Sequence, residues 1–227
     1  MSALAFALIP AVAIVLGALV SGWRTPSDQI VAAMQHLAAG VVFAAAATEV
    51  LPQVMHGGSP VATLIGGAAG VAFMLALKLG ESRFAGPIGL IAAVGIDLLV
   101  DGLVLGLAFI AGERAGLLLA IALTLEVLFL ALSLTNDLAA QFRTSGAIAI
   151  TCALALLLPV GTLAAQPVAT LPAVWTTGFL SFGLVALLYL VTEELLVEAH
   201  EKRGSPLICA MFFVGFLALL LIEEVMT

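Results

Sequence analysis

The stretch GIDLLVDGLVLGLAF, residues 95–109, sets Asp97 and Asp101 within a run of leucine, valine, isoleucine and glycine that holds no basic residue. Its reading decides the fold. With its flanks the run reaches the roughly 20 largely apolar residues that a membrane-crossing helix needs. The rest of the chain has the same character. Of its 227 residues 63% are hydrophobic and 9% charged, with a mean hydropathy of +1.28, where a soluble domain carries about a quarter charged residues. The sequence is that of an all-α integral membrane protein. Its net charge of −7 is not a solvated acidic face, because several acids lie inside apolar segments. No basic tract suits nucleic acid.

Eight apolar segments follow one another, over approximately 3–22, 29–54, 60–79, 86–111, 115–140, 146–165, 172–198 and 206–226. Turn-forming residues separate them: Arg24-Thr-Pro26, Gly57-Gly-Ser-Pro60, Gly86-Pro87, Gln166-Pro167 and Gly204-Ser-Pro206. The connections leave no room for a soluble domain, so residues 1–227 read as one eight-span unit. The first segment lacks the basic flank of a signal peptide and reads as a true span. Cys152 and Cys209 each sit in an apolar run and read as small buried hydrophobes; a disulfide would require two helices to align them.

Lysine and arginine orient such a chain. Arg24, Lys78, Arg83, Arg143, Lys202 and Arg203 fall in odd-numbered connections, and only Arg114 in an even-numbered one. The odd connections are therefore expected in the cytoplasm and both termini outside a cell membrane.

The acids carry the chemistry. Asp97 and Asp101 lie near the middle of the fourth segment and Glu126 near the middle of the fifth. A mid-membrane acid costs roughly 2.5–3.5 kcal/mol on insertion scales, so three cost on the order of 8–10. No lysine or arginine occurs at that depth. Either protons neutralise the three or a mobile cation meets them. Asp97 and Asp101 are four residues apart, on one helix face, and like charges so spaced repel unless a cation lies between them or one holds a proton. A divalent metal suits that geometry, with Glu126 completing the site. The bland reading, neutral acids knitting the bundle through hydrogen bonds, is weaker for three acids on adjacent helices. Asp137, Glu198, Glu201, Glu223 and Glu224 lie near span ends and read as wetted. Gly102 and Gly106 make a small-xxx-small pattern, read as close helix packing.

An internal likeness supports transport. Thr48-Glu49-Val50-Leu51 has His56 seven residues past its Glu, and Thr192-Glu193-Glu194-Leu195 has His200 seven residues past Glu193. The two segments cross in opposite directions, as inverted repeats of alternating-access transporters do.

These residues together resemble the ZIP family of divalent metal transporters, in a diverged bacterial-type form. Asp97-Leu98-Leu99-Val100-Asp101-Gly102, continued by Leu103-Val104-Leu105-Gly106, is similar to that family's fourth-span His-Asn-x-Pro-(Glu/Asp)-Gly signature. Glu126 falls where the fifth span begins its ligand frame. His36-Leu-Ala-Ala-Gly40 and Glu49-Val-Leu-Pro52 resemble its second span, Leu188 to His200 its seventh, and Phe213 to Leu219 its last. The resemblance implies eight spans with both termini outside, an inverted repeat, a homodimer in lipid, and a metal ion as substrate rather than cofactor. It also implies a central site of Asp97, Asp101 and Glu126, an entrance at Glu49, and an exit toward the cytoplasm at Glu193, Glu194 and His200. The chain departs from the pattern at Leu98, Val100, Val127, Leu130 and Leu158-Pro159-Val160-Gly161, which removes most of the family's second metal position. The remaining all-oxygen set shifts preference from zinc toward Mn²⁺, Fe²⁺ or Mg²⁺.

The expected function is transport of a divalent cation (Zn²⁺, Mn²⁺ or Fe²⁺) into the cytoplasm. The alternative is a non-transporting metal-sensing or assembly protein on the same fold. An intramembrane protease is disfavoured: His-Glu-x-x-His is absent, and an aspartyl protease needs its two acids on different helices.

Overall fold

Glycine and proline punctuate the apolar runs, and between these breaks each run closes into a helix, because a backbone in lipid must satisfy its hydrogen bonds within the segment. The structure, a computed structural model, describes residues 3–23, 27–81, 86–201 and 205–226. Arg24, Arg83, Lys202 and Arg203, four of the residues behind the orientation expected from charge, lie outside these ranges.

Among the described residues eight helices are long and apolar enough to cross a membrane: α1 (Ala3–Ser21), α2 (Asp28–His56), α3 (Pro60–Gly80), α4 (Pro87–Ala111), α5 (Glu113–Ala139), α6 (Thr144–Thr170), α7 (Ala173–His200) and α8 (Pro206–Val225). There is no strand among them. The protein is an all-α, multi-pass membrane protein. The turn from α2 to α3 uses Gly58 at φ +68°, a left-handed conformation that glycine adopts without steric cost. Trp23 and Trp175, exposed at helix ends, suit the headgroup level where amphipathic rings settle.

Three helices are irregular in ways their sequences only partly announce. The sixth span, expected over 146–165, runs to Thr170 and is interrupted between Leu154 and Leu157, ending in a 3₁₀ turn from Gln166. Pro159 accounts for the interruption: it has no N–H for the carbonyl of Ala155, and its ring crowds that turn. In α2 and α7 the helix widens to a π-helix, at Ala46–Val50 and Leu190–Leu195. Pro52 follows the first closely. In the second, the Thr192 hydroxyl donates to the Leu188 carbonyl at 2.9 Å, a side chain entering the backbone ladder.

The principal helix pairs are α2 with α8, α1 with α5, α4 with α6 and α3 with α7, with α4 and α5 packed together at the centre. Exchanging α1 with α6, α2 with α7, α3 with α8 and α4 with α5 carries this set onto itself. The secondary contacts of α2 with α5 and α4 with α7 exchange likewise. Each exchange relates helices that run in opposite directions. Sequence supports the same relation, since both Thr-Glu motifs fall in the π segments and both following histidines close onto the carbonyl four residues back.

Small residues permit the closest crossings. A Cβ on Gly102 would strike the Leu158 carbonyl, and one on Gly161 the Leu99 carbonyl, so α4 and α6 meet backbone to backbone. Thr162 reinforces the crossing by donating to the Gly102 carbonyl at 3.0 Å. Gly106 lies against Ala165 and Thr162 on the same seam. In lipid, packing of this kind replaces the hydrophobic drive that holds soluble bundles together.

Candidate functional site

Helix α4 presents Asp97 and Asp101 one turn apart, and antiparallel α5 presents Glu126 beside them. One carboxylate oxygen from each lies within 4.8 Å of the other two. Asp101 and Glu126 are only 2% and 1% exposed, and Asp97 is half-buried. One oxygen of Asp101 and one of Glu126 has no hydrogen-bond partner. Buried polar atoms are nearly always paired, so unpaired oxygens on two members of one cluster need an explanation. Three oxygen donors at this spacing could hold a hard divalent cation.

Asp97 also borders a cavity of about 340 Å³ that Glu193, Glu194 and Glu198 of α7 line, together with Lys78 near the end of α3. The cavity joins the carboxylate cluster to the end of the bundle where α3 stops and α4 begins. Glu193 is exposed and Glu194 half-buried. Carboxylates of α7 thus line the space between Asp97 and that end.

At the opposite end Glu49, buried in the π segment of α2, does not join the central three. Its Oε1 lies 3.6 Å from Arg114 Nε at the start of α5. The same guanidinium reaches α8, with Nη2 3.5 Å from Glu223 Oε1 and donating to the Glu223 carbonyl at 3.0 Å. Arg114 thus ties α2, α5 and α8 together. Glu223 is in consequence part of an ion pair, not merely a wetted span-end acid, and Glu198 accepts a hydrogen bond from Gln35.

His200, read in sequence with Glu193 and Glu194, stands beside His36 of α2 and Cys209 of α8. Cys152 and Cys209 are free thiols, both half-buried. Arg114, Glu223, His36 and Cys209 are the members of these clusters that sequence reading did not assign to a site. Each is the single contribution of one helix to its cluster, and no local spacing marks it.

The sequence matches no protein-family model and no curated protein.

Proposed function

We propose that the protein carries divalent metal cations across a membrane, in the manner of the ZIP transporters its sequence resembles. The observation that carries this reading is the convergence of Asp97, Asp101 and Glu126 within 4.8 Å, deep in the spanning helices, with unpaired oxygens on Asp101 and Glu126. A buried acid that only knits a bundle uses its oxygens as hydrogen-bond acceptors, and Asp101 and Glu126 each leave one unpaired. Their mutual repulsion is relieved when a cation sits among them.

In this reading Asp97, Asp101 and Glu126 hold the ion at mid-path. Glu193 and Glu194 receive it along the cavity beyond Asp97, toward the end that holds Lys78. The charge bias expected from sequence makes that end cytoplasmic, so net movement is inward. Glu49, tied by Arg114, belongs to the entrance. The related halves centred on α2 and α7 supply two ends that open in turn, with π segments as the places where the helices yield. The oxygen-only set favours Mn²⁺, Fe²⁺ or Mg²⁺ over Zn²⁺ at this position; much tighter Zn²⁺ than Mn²⁺ binding through these three residues would refute that preference.

The test is a metal panel in proteoliposomes, comparing the native protein with Asp101→Asn. Uptake of a divalent ion that the variant loses, at equal protein incorporation, is expected; full uptake by the variant removes the central claim. One observation favours a second reading, a metal sensor or assembly protein on this fold. Leu98 and Val127 are buried apolar residues where the family's pattern has ligands. Binding without uptake in the same assay would establish that reading.

A further inference from the structure

Near the ends of α2, α7 and α8 a second cluster has different chemistry. One ligand atom from each of His36, His200 and Cys209 lies within 4.8 Å of the others, and the two imidazole rings are 5.0 Å apart between centroids. We infer that these three side chains form a separate metal site for a thiophilic ion of the zinc class. The inference stands on this geometry and not on the transport reading, with which it shares only His200.

The hydrogen bonds around the rings argue for it. His36 Nδ1 lies 2.8 Å from the Ala32 carbonyl and His200 Nδ1 2.5 Å from the Leu196 carbonyl. A carbonyl only accepts, so in each ring Nδ1 carries the proton and Nε2 keeps its lone pair. Fixing the ligating tautomer through a backbone carbonyl is how proteins prepare histidine for metal. His36 is 2% exposed, yet its Nε2 has no partner. A buried, unpaired imidazole nitrogen beside a second imidazole and a free thiol is a ligand set without its ion.

The neighbouring contacts hold the cluster in place. Gln35 Nε2 donates to Glu198 Oε2 at 2.5 Å, joining α2 to α7 one residue before His36 and two before His200. Ser205 caps α8, its hydroxyl accepting from the Ile208 N–H, which sets the first turn that carries Cys209. Tetrahedral zinc, with bonds of about 2.0–2.1 Å to nitrogen and 2.3 Å to sulfur, wants its donors roughly 3.4–3.6 Å apart. From separations of at most 4.8 Å, the donors need to close by no more than about 1.2–1.4 Å. Two imidazoles and one thiolate leave a fourth tetrahedral position for water or a passing carboxylate. Binding releases the Cys209 proton to solvent, since the thiolate is the ligand. Imidazole and thiolate select Zn²⁺ and its neighbours, where the all-carboxylate cluster selects harder ions. One chain thus carries two sites of opposite hardness.

Cobalt(II) is the probe, because a thiolate–cobalt bond gives a charge-transfer absorption that carboxylate and imidazole ligands do not. The full chain in detergent is titrated with Co²⁺. The band is expected at one equivalent, absent in Cys209→Ser, displaced by Zn²⁺, and formed with at least tenfold weaker affinity in His200→Asn. His200 is exposed, so that variant keeps the fold even where substitution of buried His36 does not. Asp101→Asn should leave the band intact, which separates this site from the carboxylate cluster. Absence of the band in the native protein, its survival in Cys209→Ser through Cys152, or full affinity in His200→Asn would each overturn the inference.

Discussion

Asp101→Asn removes one charge and one ligand at almost constant volume, so it separates the stability of the empty site from its affinity for metal. Two unit charges at the 4.8 Å limit of the cluster repel by about 3.5 kcal/mol at an effective dielectric near 20. Asp101 takes part in two such pairings, with Asp97 and with Glu126. The figure holds for fully ionised carboxylates: it grows where the oxygens lie closer than 4.8 Å and shrinks where water in the cavity beside Asp97 screens it or one acid holds a proton. A realised gain of about 1–3 kcal/mol, at roughly 2–4 °C per kcal/mol for a chain of this length, raises the metal-free midpoint by about 2–12 °C. Metal acts in the other direction on the comparison. At a hundredfold excess over its dissociation constant a ligand stabilises by about 2.7 kcal/mol, which is roughly 5–11 °C.

The native protein should therefore melt low without metal and rise with Mn²⁺, whereas Asp101→Asn should start higher and move hardly at all. Mn²⁺ is the right probe because it prefers oxygen donors and leaves the histidine–cysteine cluster aside. The assay is the monodisperse fraction surviving a heating series in detergent, with and without the ion. A variant that melts lower than the native protein in the absence of metal, and still gains the whole Mn²⁺ shift, would show that Asp101 is a structural acid and that the clustering is incidental.

Other perturbations test the surroundings. Arg114→Gln breaks ion pairs of 3.6 and 3.5 Å, and with them the hydrogen bond to the Glu223 carbonyl, made by a side chain 39% exposed; at about 1 kcal/mol in all it should open that end about fivefold. Labelling of Val50→Cys by a hydrophilic thiol reagent, with Cys152 and Cys209 replaced by alanine, would report it, and an unchanged rate would mean Arg114 does not close the end. Gly102→Ala should cost about 1–3 kcal/mol by overpacking, because its Cβ meets the Leu158 carbonyl. Gly80→Ala, with nothing within 4 Å, should leave the melting midpoint alone; equal effects would discount the α4–α6 crossing. Mn²⁺ affinity should rise with pH and fall on acidification, since a carboxylate ligates only after losing its proton. Calorimetric titration at several pH values checks this, and a flat profile would remove the carboxylates as ligands.

What was legible in the sequence follows from range. The eight spans were legible because hydropathy is a local sum, and the pairing of Asp97 with Asp101 because four residues make one helical turn. Bringing Glu126 to them needed only that α4 and α5 be antiparallel neighbours across a short connection at Gly112. The interruption of α6 was half-legible: Pro159 is plain to see, but a proline inside an apolar run does not say whether the helix kinks or breaks. The π segments were not legible, since neither Thr48-Glu49 nor Thr192-Glu193 differs in composition from ordinary helix. Their likeness was visible as a repeated motif, and the structure adds that both motifs sit where the backbone widens.

The clusters made of one residue per helix lay beyond reading. His36, His200 and Cys209 are separated by more than 160 positions between first and second, and Arg114 meets Glu223 across 109. Only the crossing of α2 with α7 and α8 joins the former, and only the approach of α8 to α5 the latter. The same asymmetry explains the chemistry found in each place. Residues close in sequence on one helix can supply a like-charged pair, as Asp97 and Asp101 do, but a mixed set of imidazole and thiolate with two fixed tautomers requires three helices to arrive together. A displacement of α7 against α2 would pull His200 from His36 and Glu198 from Gln35 at once, while leaving Asp97, Asp101 and Glu126 together on α4 and α5. On the proposed transport cycle, in which the halves centred on α2 and α7 open in turn, the histidine–cysteine cluster would feel that motion and the carboxylate cluster would not.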